Sequence, residues 1–189
     1  MTVAANFNIA LVHYPVYNKN RDVVATAVTN LDIHDIARCA RTFGLSRYYI
    51  VTPVEEQRRL VEKIRQHWLE GWGSTYNPKR KAALELLQTE NSVADAILDI
   101  EKRTGRRPKV VVTGAAGRDN SVSFPEMKTL IDADPEQPFL MLLGTGWGLI
   151  EEVFDKNDYV MEPISGGGDY NHLSVRSAAS IMLDRLFGR

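Results

Sequence analysis

Apolar residues along the chain fall into short continuous runs, which alternate with longer stretches where apolar positions recur every three or four residues. The runs have the length and composition of buried strands, whereas the spacing of three to four is that of amphipathic helices. The predicted strands are 7–13, 47–52, 109–113, 139–143 and 158–162. The predicted helices are 31–43, 53–68, 79–88, 92–104, 125–132 and 172–187. This alternation predicts an α/β fold, a mostly parallel sheet with helices on both faces.

Residues at the predicted helix ends support these boundaries. Asn30 is expected to cap the helix that follows it, and Gly44 to end that helix. Ser92 is expected to cap the helix that begins after it. Residues 70–78 are expected to break the helical structure. No internal repeat and no Ser/Gly linker is found, so we expect a single domain over residues 1–189.

Composition and charge narrow the class of protein. The chain has 44% hydrophobic and 25% charged residues, which is ordinary for a soluble globular protein. It shows no signal peptide and no apolar run near the roughly 18 residues of a membrane span. The single cysteine, Cys39, excludes an internal disulfide and favours a cytoplasmic location. The net charge of −1 means that a nucleic-acid partner must bind through local basic patches. The four histidines are scattered, so no metal site is expected.

Three of the predicted strands end in loops that contain glycine. These loops are 113–117, 144–148 and 164–171. Glycine lets the backbone approach a ligand closely, and ligands of open α/β sheets bind at the carboxyl ends of the strands. The alternative is that the glycines only make turns. Two such loops in adjacent units favour a ligand.

The loop residues narrow the kind of ligand. Gly144 and Gly146 begin a dinucleotide-binding pattern, but Leu149 stands where the third glycine belongs. No Lys-Ser or Lys-Thr pair follows, so this is not a phosphate-binding P-loop, and there is no Gly-x-Ser-x-Gly hydrolase motif. Apolar side chains flank the loops at Leu143, Trp147, Ile164 and Leu173. Such walls suit an uncharged purine ring better than a triphosphate.

Three C-terminal segments together resemble the signature of the SPOUT superfamily of S-adenosylmethionine-dependent RNA methyltransferases. They are 142–149 (LLGTGWGL), 158–167 (DYVMEPISGG) and 171–181 (NHLSVRSAASI). The ISGG turn is similar to that of the bacterial tRNA guanine-N1 methyltransferases, and the LSV helix start to that of the ribose 2′-O branch. Within the superfamily the chain most resembles a small bacterial group described only as SAM-dependent RNA methyltransferases.

The resemblance implies a fold with a C-terminal deep trefoil knot, a homodimer, and an enzyme that methylates tRNA or rRNA. It further implies that the target is a base nitrogen or a ribose hydroxyl and that the cofactor is S-adenosyl-L-methionine. Three loops of such enzymes embrace the methyl donor. The matching residues here are Thr113, Gly114, Leu143, Gly144, Thr145, Gly146, Ile164, Ser165, Gly166, Asn171, His172, Leu173 and Ser174.

Two residues are candidates for the catalytic work. Residues 30–44 resemble the N-terminal motif of the 2′-O branch, and Arg38 matches its functional arginine. A guanidinium can grip an RNA phosphate through two hydrogen bonds, although a lone arginine is more often an exposed helix cation. Asp169 lies in the last glycine loop and is the nearest candidate for a general base. Its alternative role is that of a turn residue.

Residues 67–81 mix aromatic residues, glycines and a basic cluster. Trp72, Lys79 and Arg80 are expected to contact RNA, since exposed aromatic rings stack on bases and cations hold phosphates. Alternatively, the tryptophans fill the core or a dimer interface. Two other functions stay open: a non-catalytic RNA-binding or ribosome-assembly factor that keeps the donor pocket, and a different α/β enzyme that uses a nucleotide.

Overall fold

The structure is a computed structural model that describes residues 3–117, 120–153, 155, 158–168 and 170–189. Its strands are β1 (Phe7–Val12), β2 (Val16–Tyr17), β3 (Val23–Val24), β4 (Arg47–Val51), β5 (Leu87–Glu90), β6 (Lys109–Val112), β7 (Phe139–Gly144) and β8 (Tyr159–Val160). Its α-helices are α1 (Asn30–Thr42), α2 (Glu55–Leu69), α3 (Trp72–Tyr76), α4 (Pro78–Leu84), α5 (Val93–Thr104), α6 (Phe124–Ala133) and α7 (Val175–Phe187). None of these helices is long and apolar enough to cross a membrane.

Within the described residues, six strands form one sheet in the order β5-β4-β1-β7-β6-β8. All neighbouring pairs in it are parallel, and β1 lies at the centre, with Ile9 beside Tyr48 of β4 and Met141 of β7. β2 and β3 form a separate antiparallel hairpin. The predicted α/β class is confirmed. The knot, inferred from the resemblance, stays a prediction.

Alternate residues of β1 face two different apolar cores. Phe7, Ile9 and Leu11 pack with residues of α1, α2, α4, α6 and α7, whereas Ala10 and Val12 pack with α5. A strand buried on both faces is mostly apolar, which is why β1 and β7 read as near-continuous apolar runs. The exception in β1 is Asn8, whose buried side-chain amide donates to the Phe139 carbonyl at 3.0 Å. The predicted placement of helices on both faces is confirmed.

Of the two predicted N-caps, the one at Asn30 was wrong and the one at Ser92 is confirmed. Thr29, and not Asn30, caps α1, because its hydroxyl accepts a hydrogen bond from the Asp32 N–H at 3.2 Å. Asn30 is the first residue of the helix. The prediction for Ser92 is confirmed, since its hydroxyl accepts from the Asp95 N–H at 3.1 Å.

Three predicted boundaries were wrong. Residues 70–78 contain the short helix α3. The predicted helix 79–88 ends at Leu84, and the chain then enters strand β5, which pairs with β4. The last helix begins at Val175 and not at His172, because Ser174 caps it through the Ser177 N–H. The residues before Ser174 are thereby left free to line the site.

Candidate functional site

A cavity of about 820 Å³ lies where β1, β6 and β7 end. Its volume is in the usual range for sites that bind small molecules and cofactors. Ten of the thirteen residues predicted to bind the donor line it. They are Thr113, Gly114, Leu143, Gly144, Thr145, Gly146, Ile164, Asn171, His172 and Leu173. The predicted apolar walls, including Trp147, line it as well.

The loop after β7 is fastened to the β2–β3 hairpin. The Trp147 N–H donates to the Tyr17 carbonyl at 3.0 Å, and the Tyr17 N–H donates to the Gly148 carbonyl at 2.9 Å. Gly146 has φ +59°, and a Cβ there would lie 2.9 Å from the Tyr17 oxygen. Position 146 therefore requires glycine both for its backbone conformation and for the close approach of the hairpin.

The loops after β6 and β8 are joined by a hydrogen bond beside the cavity. The Asn171 side-chain amide donates to the carbonyl of Ala115 at 2.7 Å. Thr113 is held at its strand end, since its hydroxyl donates to the Leu142 carbonyl at 2.8 Å. Gly114 has open space where a side chain would stand. The first and third loops thus form one wall, which leaves room for a ligand at Gly114.

Three of the predicted donor residues do not line this cavity. Ser165 and Gly166 are exposed beyond its rim, and Ser174 uses its hydroxyl to cap α7. Their neighbours Ile164 and Leu173 do line it.

A cluster of four polar residues lines the cavity on the side of β1 and α1. It consists of His13, Thr26, Asp32 and Arg176. Arg176 Nη1 donates to Asp32 Oδ1 at 2.6 Å, and the Thr29 hydroxyl donates to Asp32 Oδ2 at 2.6 Å. Asp32 is only 5% exposed, so the two donors compensate for the burial of its carboxylate.

His13 follows β1 directly and is only 1% exposed. Its Nδ1 lies 3.0 Å from the Thr26 hydroxyl oxygen, which in turn lies 2.6 Å from the Thr145 hydroxyl oxygen. Its Nε2 has no hydrogen-bond partner among the described residues. Burial lowers the pKa of His13 to about 4, against the opposing effect of the Asp32 carboxylate. The ring is therefore neutral at physiological pH.

The predicted catalytic residues lie elsewhere or are not described. Arg38 is exposed on α1 and does not line the cavity; it borders a shallow depression between α1 and α7 with Cys39, Ser180 and Asp184. Asp169 lies outside the described residues. Among the described lining residues, Asp32 is the one carboxylate, and it is engaged by Arg176.

The predicted RNA-contact residues form an exposed surface around α3. The Trp72 ring is 69% exposed and stacks on the equally exposed Tyr76 ring, with centroids 4.5 Å apart. Lys79 is exposed, and the Arg80 guanidinium lies 4.8 Å from the centre of the half-buried Trp68 ring. The alternative that the tryptophans fill the core therefore fits Trp68 but not Trp72.

Sequence reasoning missed the polar group of the cavity. His13 did carry a signal, since it ends the central strand at the edge of the sheet where ligands bind. Asp32 and Arg176 carried none, because 144 positions separate them and only the packing of α7 on α1 brings them together. No set of three or more His, Cys, Asp or Glu side chains in the described part of the chain could hold a metal ion.

Comparison with known proteins gives a consistent result. A family described as SAM-dependent RNA methyltransferase matches residues 6–188. A tRNA (guanine-N(1)-)-methyltransferase of Oleidesulfovibrio alaskensis is 48% identical over 183 residues, which are 97% of this chain and 42% of that protein. An uncharacterized protein of Aquifex aeolicus is 40% identical over 97% of this chain and 89% of its own length.

Solved structures support the fold. The SpoU methyltransferase AviRb of Streptomyces viridochromogenes, solved in complex with AdoMet, has a TM-score of 0.55 and 18% identity. The alignment covers 97% of this chain and 57% of that chain. At that identity the likeness concerns the fold alone. The chain also spans less than half the length of the tRNA methyltransferase that it matches, so that protein's activity is a property of a longer polypeptide.

Proposed function

This chain belongs to the family of SAM-dependent RNA methyltransferases, and from that premise we propose that it transfers a methyl group from S-adenosylmethionine to a nucleotide of RNA. The observation that carries the proposal is the convergence of three glycine-containing loops on one cavity with apolar walls. S-adenosylmethionine supplies a methyl group already activated on a sulfonium. The protein therefore has to bind the donor, align the nucleophile and exclude water.

The ten lining residues form the proposed donor site. Gly114 offers open space, while Gly144 and Gly146 bring bare backbone to the cavity surface. Leu143, Ile164 and Leu173 provide apolar contacts suited to a purine ring. Ser165, Gly166 and Ser174 belong to the same loops and would act by shaping them.

The proposed substrate is RNA, either tRNA or rRNA, methylated at a base nitrogen or a ribose hydroxyl. We also propose that the 189 residues act as one domain in the cytoplasm, where these RNAs are found. The guanine-N1 activity of the Oleidesulfovibrio protein is not transferred to this chain, because more than half of that protein has no counterpart here.

Cations and aromatic rings on one surface support RNA binding. The pKa of His34 is lowered by burial first, and then by the positive charges of Arg80 and Arg38, with Asp35 opposing them. The geometry agrees for Arg80 of α4, whose guanidinium lies 4.8 Å from the centre of the Trp68 ring, and that ring lies 5.7 Å from the His34 ring. We propose that RNA phosphates contact Arg38, Lys79 and Arg80, while unpaired bases stack on Trp72.

We propose that two copies of the chain pair through α1 and α7. Ala179 is buried in the protomer core, and Ala178 lines the cavity, so neither small residue is free for a partner. Ser180 is exposed beside the depression that Arg38 and Cys39 border. The proposed contact is centred on Ser180.

Calorimetric titration with S-adenosylmethionine and S-adenosylhomocysteine tests the donor site, with ATP and NAD as controls. We expect binding of the two adenosyl ligands alone. Transfer of a radiolabelled methyl group to unmodified tRNA and rRNA tests the reaction. Binding of ATP or NAD instead would contradict the proposed donor site.

A second function, an RNA-binding or ribosome-assembly factor without catalysis, is favoured by one observation. The cavity's Asp32 carboxylate is already held by Arg176, so it is not free to act as a base. Replacing Arg38 with Ala separates the two functions. An enzyme should lose turnover and keep its donor affinity, whereas the binding factor has no turnover to lose.

A further inference from the structure

The hydrogen-bond chain behind the Gly144–Gly148 loop fixes which nitrogen of His13 carries the proton. The Thr145 hydroxyl donates its hydrogen to the Val12 carbonyl at 3.0 Å. The Thr26 hydroxyl has the His13 carbonyl at 3.5 Å and the Thr145 oxygen at 2.6 Å, and in the arrangement of hydrogens that makes all of these contacts hydrogen bonds Thr26 donates to the nearer Thr145 oxygen. With its own hydrogen used, the Thr26 hydroxyl can only accept from His13 Nδ1. The proton of the neutral ring thus sits on Nδ1.

It follows that Nε2 presents a bare lone pair. That lone pair has no partner among the described residues; Nε2 is itself buried, and His13, which is 99% buried, is one of the residues that line the cavity. A buried acceptor without a donor costs about 1–3 kcal/mol, and such groups in native proteins call for an explanation. A ligand that brings an N–H or O–H group into the cavity would remove this cost.

The two possible sources of such a group are the methyl donor and the RNA nucleotide. The residues proposed for the donor lie on the three glycine loops, whereas His13 lies with Thr26, Asp32 and Arg176 on the β1 and α1 side. Arg176 is one-third exposed, and its guanidinium stays paired with Asp32 at the edge of this side. This second, polar side is where an incoming nucleotide would meet the donor.

We propose that His13 Nε2 accepts the hydrogen bond of the N–H or O–H group that is methylated, which makes His13 a catalytic residue. This inference rests on the proposed function. As the nucleophilic atom bonds to the methyl carbon, the carbon–sulfur bond breaks and its electron pair stays on sulfur. The proton of the nucleophile passes to Nε2 and then to solvent.

A weak base is sufficient for this role. Positive charge moves from the sulfonium to the nucleophile during transfer, so the N–H or O–H group becomes strongly acidic as the new bond forms. The neutral ring is available over the whole physiological pH range, and the Asp32 carboxylate favours the imidazolium that forms. No carboxylate has to be released from Arg176 for the reaction to proceed.

Two substitutions test the roles of the two ring nitrogens of His13 separately. His13→Asn keeps an N–H donor for Thr26 but has no atom at the position of Nε2, whereas His13→Gln can place its carbonyl oxygen there. In single-turnover methylation of RNA, we expect H13N to lose about 10²–10⁴-fold in rate while its affinity for S-adenosylhomocysteine is unchanged. H13Q should recover part of the rate. A wild-type rate in H13N, or an equal loss of donor affinity, would overturn the proposal.

A spectroscopic measurement tests whether His13 Nε2 accepts a hydrogen bond from the RNA, even if no methyl transfer is found. In ¹⁵N-labelled wild-type protein, the two ring nitrogens of His13 are distinguished by long-range ¹H–¹⁵N correlation, with H13N used for assignment. We expect S-adenosylhomocysteine alone to leave the Nε2 resonance in place, and subsequent addition of RNA to shift it as an accepted hydrogen bond does. A shift on donor binding alone, or none with either ligand, contradicts the inference. Absence of methyl transfer with an RNA-induced shift would instead refute the proposed reaction.

Discussion

Gly146 combines two constraints at one residue. Its φ of +59° is unfavourable for any side chain, and its missing Cβ makes room for the Tyr17 carbonyl. The sequence pointed to this glycine as part of a ligand loop. It did not reveal that the space beside the glycine is taken by the β2–β3 hairpin and not by a ligand.

Replacing Gly146 with Ala should destabilise the protein by about 1–3 kcal/mol, since a strained backbone and a close contact arise together. Gly166→Ala is the matched control, because its Cβ would have open space and its φ is outside the strained region. Chemical denaturation of both variants checks this expectation. Equal stability of G146A and wild type would show that the loop can move away from the hairpin.

The buried imidazole of His13 makes stability depend on pH in a defined window. Its pKa is about 4 in the folded protein and 6.5 in the unfolded chain, so only the unfolded chain takes up the proton between these values. Stability should therefore fall as the pH falls from 6.5 to 4, by about 1.4 kcal/mol per pH unit, and this contribution should be constant outside that range. The Asp32 carboxylate opposes this lowering of the His13 pKa, and burial outweighs it.

Urea denaturation of wild type and H13N at pH 7 and 4.5 isolates this contribution. The loss of stability on acidification should be about 2–3 kcal/mol greater in wild type than in H13N. His34, whose pKa is also lowered, is present in both proteins and cancels from the difference. The same pH dependence in both proteins would show that the pKa of His13 is not lowered by folding, so that the ring is protonated at pH 4.5 in the folded protein as well.

At the scale of elements, the sequence predicted strands buried on both faces and helices with a clear apolar stripe. β1 and β7 were visible because all their residues except Asn8 and Gly144 belong to one apolar core or the other. β5 was missed because it lies at the edge of the sheet and has one buried residue, Leu87, preceded by strong helix formers. Its strand conformation comes from pairing with β4, which is a tertiary effect that overrides local propensity.

The glycine loops were predictable and the polar side of the cavity was not, for a related reason. A loop carries its signal in adjacent residues, such as Gly144 to Gly148. The Asp32–Arg176 pair depends on how α7 packs on α1. The residue pattern of a single helix does not indicate which other helix will pack against it.

The element α3 offers a test of RNA binding that leaves the fold intact. Trp72→Ala removes an exposed ring whose nearest aromatic contact is the exposed Tyr76, so the free energy of unfolding should change by no more than about 0.5 kcal/mol. RNA affinity should fall by about 1–3 kcal/mol for each base stacked. Filter binding with unmodified tRNA and rRNA measures this.

The control for that variant is Leu98→Ala, an exposed apolar truncation on α5, across the sheet from α3. It should leave RNA affinity unchanged. Unchanged affinity in W72A would place the RNA elsewhere on the molecule.

The helices are distributed unevenly over the two faces of the sheet. Among the helices of the described part of the chain, α5 alone packs on one apolar face of the sheet, while α1, α2, α4, α6 and α7 pack on the other. A net charge of −1 gives no general attraction to RNA. The proposed RNA contacts are therefore concentrated on one region. Arg38 and Arg80 lie on helices of the crowded face, and Trp72 lies on α3, which packs against α2 and α4 of that face.

Dimerisation through α1 and α7 is tested by Ser180→Arg. Two bulky cations at the centre of a paired surface should prevent association, so light scattering should report a dimer for wild type and a monomer for S180R. Thr129→Arg is the control, since both hydroxyls are exposed on a helix and donate to the carbonyl four residues earlier. A wild-type monomer, or a dimeric S180R, would contradict the proposed interface.

The pair of hydrogen bonds between Tyr17 and the Trp147–Gly148 segment has a kinetic consequence. Each segment holds an amide hydrogen of the other, so neither amide can exchange with solvent unless hairpin and loop separate together. The two amides should therefore show one common protection factor, which is the intrinsic exchange rate of each divided by its observed rate. A ligand that binds the loop should slow amide exchange in the hairpin by the same factor. Exchange at hairpin residues that do not contact the ligand would therefore still detect its binding.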